Sequence, residues 1–224
     1  PLQRRTYLAA QLRRQHPPQL RNDNKRVLFD ISSPQYAIHG GQLEYSRWPE
    51  LPLPNRVDPA RAAELVLVRD GHYDYVPVLE PGVGVEWHVN FADINLFFAY
   101  GWALFAQDEI QVAEHPVLAS LREALVAEGQ PTTTTANGRP TPVLVIGAER
   151  RISIQTDPGA ASGRPSWLYG MAFARATADA IREATTVIDP PTISNILAMV
   201  APVGGRGRYQ REQTVKSRLL VVVV

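Results

Sequence analysis

Residues whose types could do chemistry are concentrated between positions 86 and 115, where Asn90 and Asp93 follow a short apolar run and the adjacent carboxylates Asp108 and Glu109 come next. Polar residues at the exit of a buried strand sit where open α/β sheets bind ligands, beyond the carboxyl ends of the strands. At about 100° per residue, Trp102, Phe105, Ala106, Glu109 and Ala113 share one stripe of a helix expected over 101–113. Glu109 is therefore the odd member of an apolar face. A carboxylate placed there is desolvated unless it lines a cavity, and desolvation raises its pKa towards the range useful for acid or base work. The alternative is a structural one, in which Glu109 caps its helix or pairs with an arginine such as Arg122 or Arg150.

A second cluster, Ala-Pro-Val-Gly-Gly-Arg-Gly-Arg-Tyr over 201–209, lies between an expected strand and an expected helix. Glycines at such a junction let backbone amides approach a phosphate, and the helix amino terminus adds partial positive charge. Gly204, Gly205, Arg206 and Gly207 match neither the Walker pattern nor G-x-G-x-x-G, so a plain strand-to-helix turn is an equal reading. Ser153, Ser162 and Ser166 have no G-x-S-x-G context, so a serine hydrolase reading has little support. The histidines at 16, 39, 72, 88 and 115 form no HExxH or H-x3-H pair and the chain has no cysteine, so neither a protein-bound metal nor a cofactor is expected. His88 reads as a core or surface histidine and His115 as a helix-end residue. Tyr100, Tyr169, Phe173 and Tyr209 read as core aromatics or as a stacking surface for a base.

Positioning these groups requires a strand into Asn90 and a helix under Glu109, and the sequence supplies both. Glu86 to Phe91 is a strand candidate, with helices expected over 101–113 and 116–128, the latter stopped by Gly129 and the threonine run. The apolar run over 142–147 reads as a strand covered on both faces. A helix over 168–184, a strand over 193–200, the glycine turn and a helix from Tyr209 follow. Earlier, residues 2–15 have near-helical spacing and end at Pro17-Pro18. Prolines at 34, 49, 52, 54 and 59 make 30–60 a structured connection that leads into a short helix over 58–64. Leu65 to Val68 and Tyr73 to Leu79 read as short strands about Asp70-Gly71. This order predicts an α/β fold, a three-layer α/β/α sandwich with a mixed, mostly parallel sheet. The expected organisation is a helical and proline-rich extension over 1–60 packed on a domain over 61–224.

At 224 residues the chain can bury a core without staples. Its formal net charge of +1 argues against whole-molecule nucleic-acid binding, although both ends are locally basic. No apolar stretch is long enough for a signal peptide or a membrane span, so a soluble, cytoplasmic protein is expected.

These segments, in this order, resemble the poly(ADP-ribose) glycohydrolase branch of the macrodomain superfamily. Val-Asn-Phe-Ala-Asp over 89–93 is similar to the V-D-F-A-N of the glycohydrolases and the V-N-A-A-N of macrodomains. Ala-Gln-Asp-Glu-Ile over 106–110 resembles the glycohydrolase signature V-Q-E-E-I. The strand ending Gly-Ala-Glu149 and the glycine segment 204–207 resemble later elements of that fold. The resemblance covers about residues 75 to 220. It implies that Glu109 protonates a departing ribosyl oxygen and then activates water, and that Asp108 positions the distal ribose. It also implies that Asn90 and Asp93 contact that ribose, and that Ala99, Tyr100, Gly101 and Gly204 to Gly207 flank a diphosphate. The implied partner is ADP-ribose or an ADP-ribosylated protein, with no membrane and no sequence-specific nucleic acid.

The chain departs from the family pattern at three places. Residues 95–101 replace a three-glycine loop and keep one glycine, Asp108 replaces the first glutamate, and Asp93 stands where the pattern has asparagine. The departures fit an altered substrate, such as a mono-ADP-ribosyl protein or another nucleotide conjugate, and equally a module that binds without cleaving.

Overall fold

The computed structural model describes residues 1–34, 39–49, 75–77, 84–158 and 167–200. Residues 1–49 and 87–201 form one compact unit; the other grouping, 50–86 with 202–224, falls almost entirely outside the described residues.

The unit opens with strand β1 (Gln3–Leu8), helix α1 (Ala9–Gln15), helix α2 (Asp23–Ser32) and strand β2 (Gln42–Arg47). After β3 (His88–Phe91) come α3 (Gln107–Glu114), α4 (Val117–Ala127) and two short strands, β4 (Thr135–Ala136) and β5 (Arg139–Pro140). The long β6 (Val143–Ile154), a 3-10 turn over Gly170–Arg175, α5 (Ala178–Glu183) and β7 (Thr185–Met199) complete it. Local chemistry explains several boundaries. Asn22 caps α2 by accepting from Lys25 N, and α4 ends where Gln130 N reaches back to Leu125 O and Gly129 N to Val126 O.

Five strands pair in the order β1, β2, β6, β7, β3. The sheet is mixed, but among the described strands it is mostly antiparallel, against the expectation of mostly parallel: only β3 with β7 runs parallel. The cause is where the crossovers end. Ala9 N donates to Gly41 O at 3.2 Å and Gln155 N to Ala184 O at 2.9 Å. The excursions 9–41 and 155–184 thus return to the sheet end they left, and the next strand must run back. Within β6 the register slips between Val145 and Ala148. Gly147, at φ +86°, makes the slip, and a Cβ there would meet Gln42 O at 2.4 Å.

Other expectations shift for identifiable reasons. Residues 2–15 are a strand followed by a helix; Leu2 and Leu8 are exposed, and the apparent helical stripe yields to pairing with β2. The expected connection over 30–60 instead carries the end of α2 and all of β2. The helix expected from 101 starts at Gln107, because Ala106 is extended and serves as its cap. The helix expected over 168–184 divides at Ala176 and Thr177, and the Thr177 hydroxyl caps α5 by accepting from Ala180 N. The expected helix over 58–64, the strand over 65–68 and everything from 201 onward lie outside the described residues. Of the expected strand over 73–79 only 75–77 are described, in no regular element. No described helix is long and apolar enough to cross a membrane.

The core joins both sides of the chain. Leu12, Leu28, Phe29, Leu43 and Tyr45 from the first third pack with Phe105, Val112, Leu118, Leu121, Val145 and Ile196.

Candidate functional site

The exit of β3 and the first turn of α3 are joined by one side chain. Gln107 Nε2 donates to Val89 O at 2.8 Å, and its Oε1 accepts from Phe91 N at 3.0 Å. A residue of a parallel neighbouring strand would make the same pair of bonds, so the carboxamide stands in for a strand along the outer side of β3. Asn90, between those two residues, is fully buried, and neither its Oδ1 nor its Nδ2 has a hydrogen-bond partner among the described residues. Buried polar groups are nearly always bonded, and an unsatisfied carboxamide costs about 1–3 kcal/mol, so this residue stands out as a group awaiting a partner.

Glu109, two residues beyond Gln107, is also buried. Its Oε2 accepts from Ala106 N at 2.8 Å, which closes the first turn of α3. The capping role is therefore real, but the arginines named as possible partners are engaged elsewhere. Arg122 donates to Leu96 O, and Arg150 makes a two-bond ion pair with Glu114, both at 3.2 Å. The cation that Glu109 senses electrostatically is Lys25 of α2, buried, with no hydrogen-bond partner for Nζ among the described residues. Nζ lies 4.7 Å from the ring centre of Phe105 and 5.5 Å from that of Phe173. The two rings stack with centres 4.1 Å apart. Gly170 N donates to Phe105 O, and Asn24 Nδ2 donates to Phe173 O and Ala176 O, which fixes the aromatic walls to α2 and to the 3-10 turn.

Burial sets the protonation of this pair. It pushes the Glu109 carboxyl above the usual carboxylate range, a shift that neighbouring Asp108 reinforces and that Ala106 N and Lys25 oppose. It pulls the Lys25 ammonium down, against the attraction of Glu109 and Asp108. A carboxyl that keeps its proton near neutrality beside an amine that readily gives one up can serve proton transfer in either direction.

The other expected residues are placed as follows. Asp108 is half-buried in the first turn of α3. Asp93 is exposed, and its Oδ1 accepts from Asn95 N. Ala99, Tyr100 and Gly101 form a turn packed on residues 19–22. The Tyr100 hydroxyl accepts from Gln19 N at 2.6 Å and donates to Glu123 Oε1 at 2.7 Å, while Gly101 O accepts from Arg21 N and Asn22 N. Gly204, Gly205, Arg206 and Gly207 lie outside the described residues. The structure therefore brings Asn90, Asp108 and Glu109 to one end of α3, and turns the remaining glycine of the 95–101 loop towards the amino-terminal segment.

Lys25 is the buried charge near Glu109 that the sequence reading missed. Its signal was legible: Lys25, Leu28, Phe29 and Ser32 occupy i, i+3, i+4 and i+7 of α2 and all four are buried, so Lys25 is as misplaced on its apolar stripe as Glu109 is on its own. Among the described residues no three histidine or carboxylate side chains gather as metal ligands would. The chain matches no protein-family model and, at a significant level, no curated protein.

Proposed function

We propose that this protein cleaves the glycosidic bond of an ADP-ribosyl group, or of a related nucleotide–ribose conjugate, on a modified protein, within a macrodomain-like three-layer α/β sandwich. The observation that carries the reading is the buried Glu109, within electrostatic reach of Lys25, at the start of the helix that Gln107 ties to the strand carrying Asn90. In this reading Ala106 N fixes Oε2 and Oε1 is the reacting oxygen. Glu109 gives its proton to the departing oxygen as the bond to the ribosyl carbon lengthens through an oxocarbenium-like state. Lys25 then stabilises the carboxylate until it takes a proton from the attacking water. The Asn90 carboxamide meets the ribose hydroxyls, and Asp108 orients the ring from the adjacent position.

The test is turnover of an ADP-ribosylated protein by the parent and by Glu109→Gln. General acid–base groups contribute about 10²–10⁴ in rate, so a loss of that order with ADP-ribose affinity retained is expected. Equal turnover by both proteins would end the reading. Non-catalytic recognition of the same ligand is the second reading, favoured by the contact of Gly101 with Gln19, which leaves no added room at the loop that the resemblance assigns to a diphosphate. Binding of ADP-ribose that is lost in Asn90→Ala, with no turnover by the parent, decides for it.

A further inference from the structure

Three segments remote in sequence bring a hydroxyl, an imidazole and a carboxylate into line. Ser33 follows the last turn of α2, His39 precedes β2 and Glu149 lies within β6. Ser33 Oγ is 2.8 Å from His39 Nε2, and His39 Nδ1 is 3.6 Å from Glu149 Oε2. The carboxylate is held from two sides, since Gly40 N donates to Oε1 at 2.9 Å and Arg151 to Oε2 at 2.5 Å. Arg13 donates to Ser33 Oγ at 2.5 Å and to Ser120 Oγ at 3.3 Å. His39 is buried, whereas Ser33 is half-buried. The proton positions follow from these partners. Oγ accepts from Arg13, its own hydrogen goes to Nε2, and Nδ1–H faces the carboxylate.

We propose that Ser33 is a nucleophile, with His39 as its base and Glu149 as the group that orients the imidazole, in a second site that cleaves carboxylic esters bearing an anionic group. A nucleophile within hydrogen-bond reach of a base, itself oriented by a third group, is the arrangement that acyl transfer needs, and it is recognised by geometry and not by position in the sequence. The long His39 to Glu149 separation is of the kind that tightens when substrate binds. Burial, then Arg13 and Arg151, hold the imidazole in its base form, with a pKa lowered to about 3. The guanidinium on Oγ also favours the alkoxide, which offsets Arg13's part of that lowering but not the larger part due to burial. Among the described residues the guanidinium groups of Arg13 and Arg151 stand with the one carboxylate of Glu149, hence the anionic substituent on the ester.

The step balances with water alone. The Ser33 proton moves to Nε2 as Oγ bonds to the carbonyl carbon, and the alcohol leaves with that proton as the ester bond breaks. Water then adds to the acyl carbon, giving one proton to Nε2, from which it returns to Oγ as the acid departs. The site shares no residue with the Glu109 site, and either can fail alone.

The experiment is labelling of the full chain with a fluorophosphonate reagent, read by intact mass and peptide mapping. An adduct on Ser33 is expected, absent in Ser33→Ala and formed about 100-fold more slowly in His39→Asn at an unchanged melting temperature. No adduct on Ser33 of the folded parent overturns the proposal, as does parental labelling in His39→Asn. Where His39→Asn proves unstable, Ser33→Ala decides, since an undiminished adduct there is equally fatal. With 4-nitrophenyl esters, the succinate is expected to be hydrolysed about tenfold faster than the acetate, and the reverse order overturns the anionic preference.

Discussion

Gln19 O lies 2.3 Å from the point where a Cβ on Gly101 would sit, so the amino-terminal segment and the 95–101 loop touch backbone to backbone. No flexible side chain is present to yield. Gly101→Ala must move one of the two segments, and overpacking of this kind costs about 1–3 kcal/mol. Chemical denaturation is expected to show a lower midpoint with an unchanged slope; a midpoint equal to the parent's would mean that the contact is easily relieved.

Asn90 separates stability from function. A buried carboxamide with no hydrogen-bond partner among the described residues destabilises the fold, so the near-isosteric Asn90→Leu is expected to leave stability unchanged or raise it by about 1–2 kcal/mol. If the carboxamide is kept for a ligand, the same variant loses ADP-ribose affinity in calorimetric titration. A variant that is less stable and binds normally would remove Asn90 from the site.

Lys25→Met replaces the ammonium by an apolar group of similar length beside two stacked phenylalanine rings. Lys25 opposes the upward shift of Glu109, so its removal is expected to move that carboxyl still higher. Carbon-detected NMR titration of the glutamate carboxyls reads this directly. Under the hydrolytic reading, the alkaline limb of the pH–rate profile moves upward with it. A Glu109 titration unchanged by the substitution would show that the two groups do not sense each other.

Two buried histidines make the fold sensitive to acid. Burial is the largest cause that lowers both His39 and His115 from 6.5 to about 3, Arg13 and Arg151 adding to it for His39 and Arg150 and His88 for His115. Between those values the unfolded chain binds protons that the folded chain refuses. The stabilisation is thus present above pH 6.5 and is lost as the pH falls towards 3, by up to about 1.4 kcal/mol per pH unit for each histidine. Replacing His115 with Gln is expected to flatten this part of the stability curve, and an identical slope would assign the acid sensitivity to other groups.

What could be read in the sequence was whatever advertised itself by local pattern. The alternation into Asn90 gave β3 and the apolar run after Pro142 gave the start of β6; Glu109 is buried as expected, but the stripe that pointed to it fails, since Trp102 is exposed and Phe105 precedes α3. β1 was misread because its burial comes from pairing with β2 along one edge, which leaves four of its six residues exposed and no period to see. The stripe of Lys25, Leu28, Phe29 and Ser32 was there to be read, but a lysine and a serine at two of its four positions read as solvent. The alignment of Ser33 with His39 and Glu149 had no local trace: Arg13 and Glu149 reach it from α1 and β6, and only the sheet brings them to one place.

The parallel register of β3 has a consequence for the order in which the molecule is made. His88 pairs with Ile196 and Phe91 with Met199, so the four-residue strand that carries Asn90 is bonded to a partner that leaves the ribosome more than a hundred residues later. Pairings this distant in sequence form slowly. The β1–β2 ribbon can close once Arg47 has been made, whereas the Asn90 end of the sheet must wait until Met199 has followed. A truncated product would keep much of the early scaffold and lack the site.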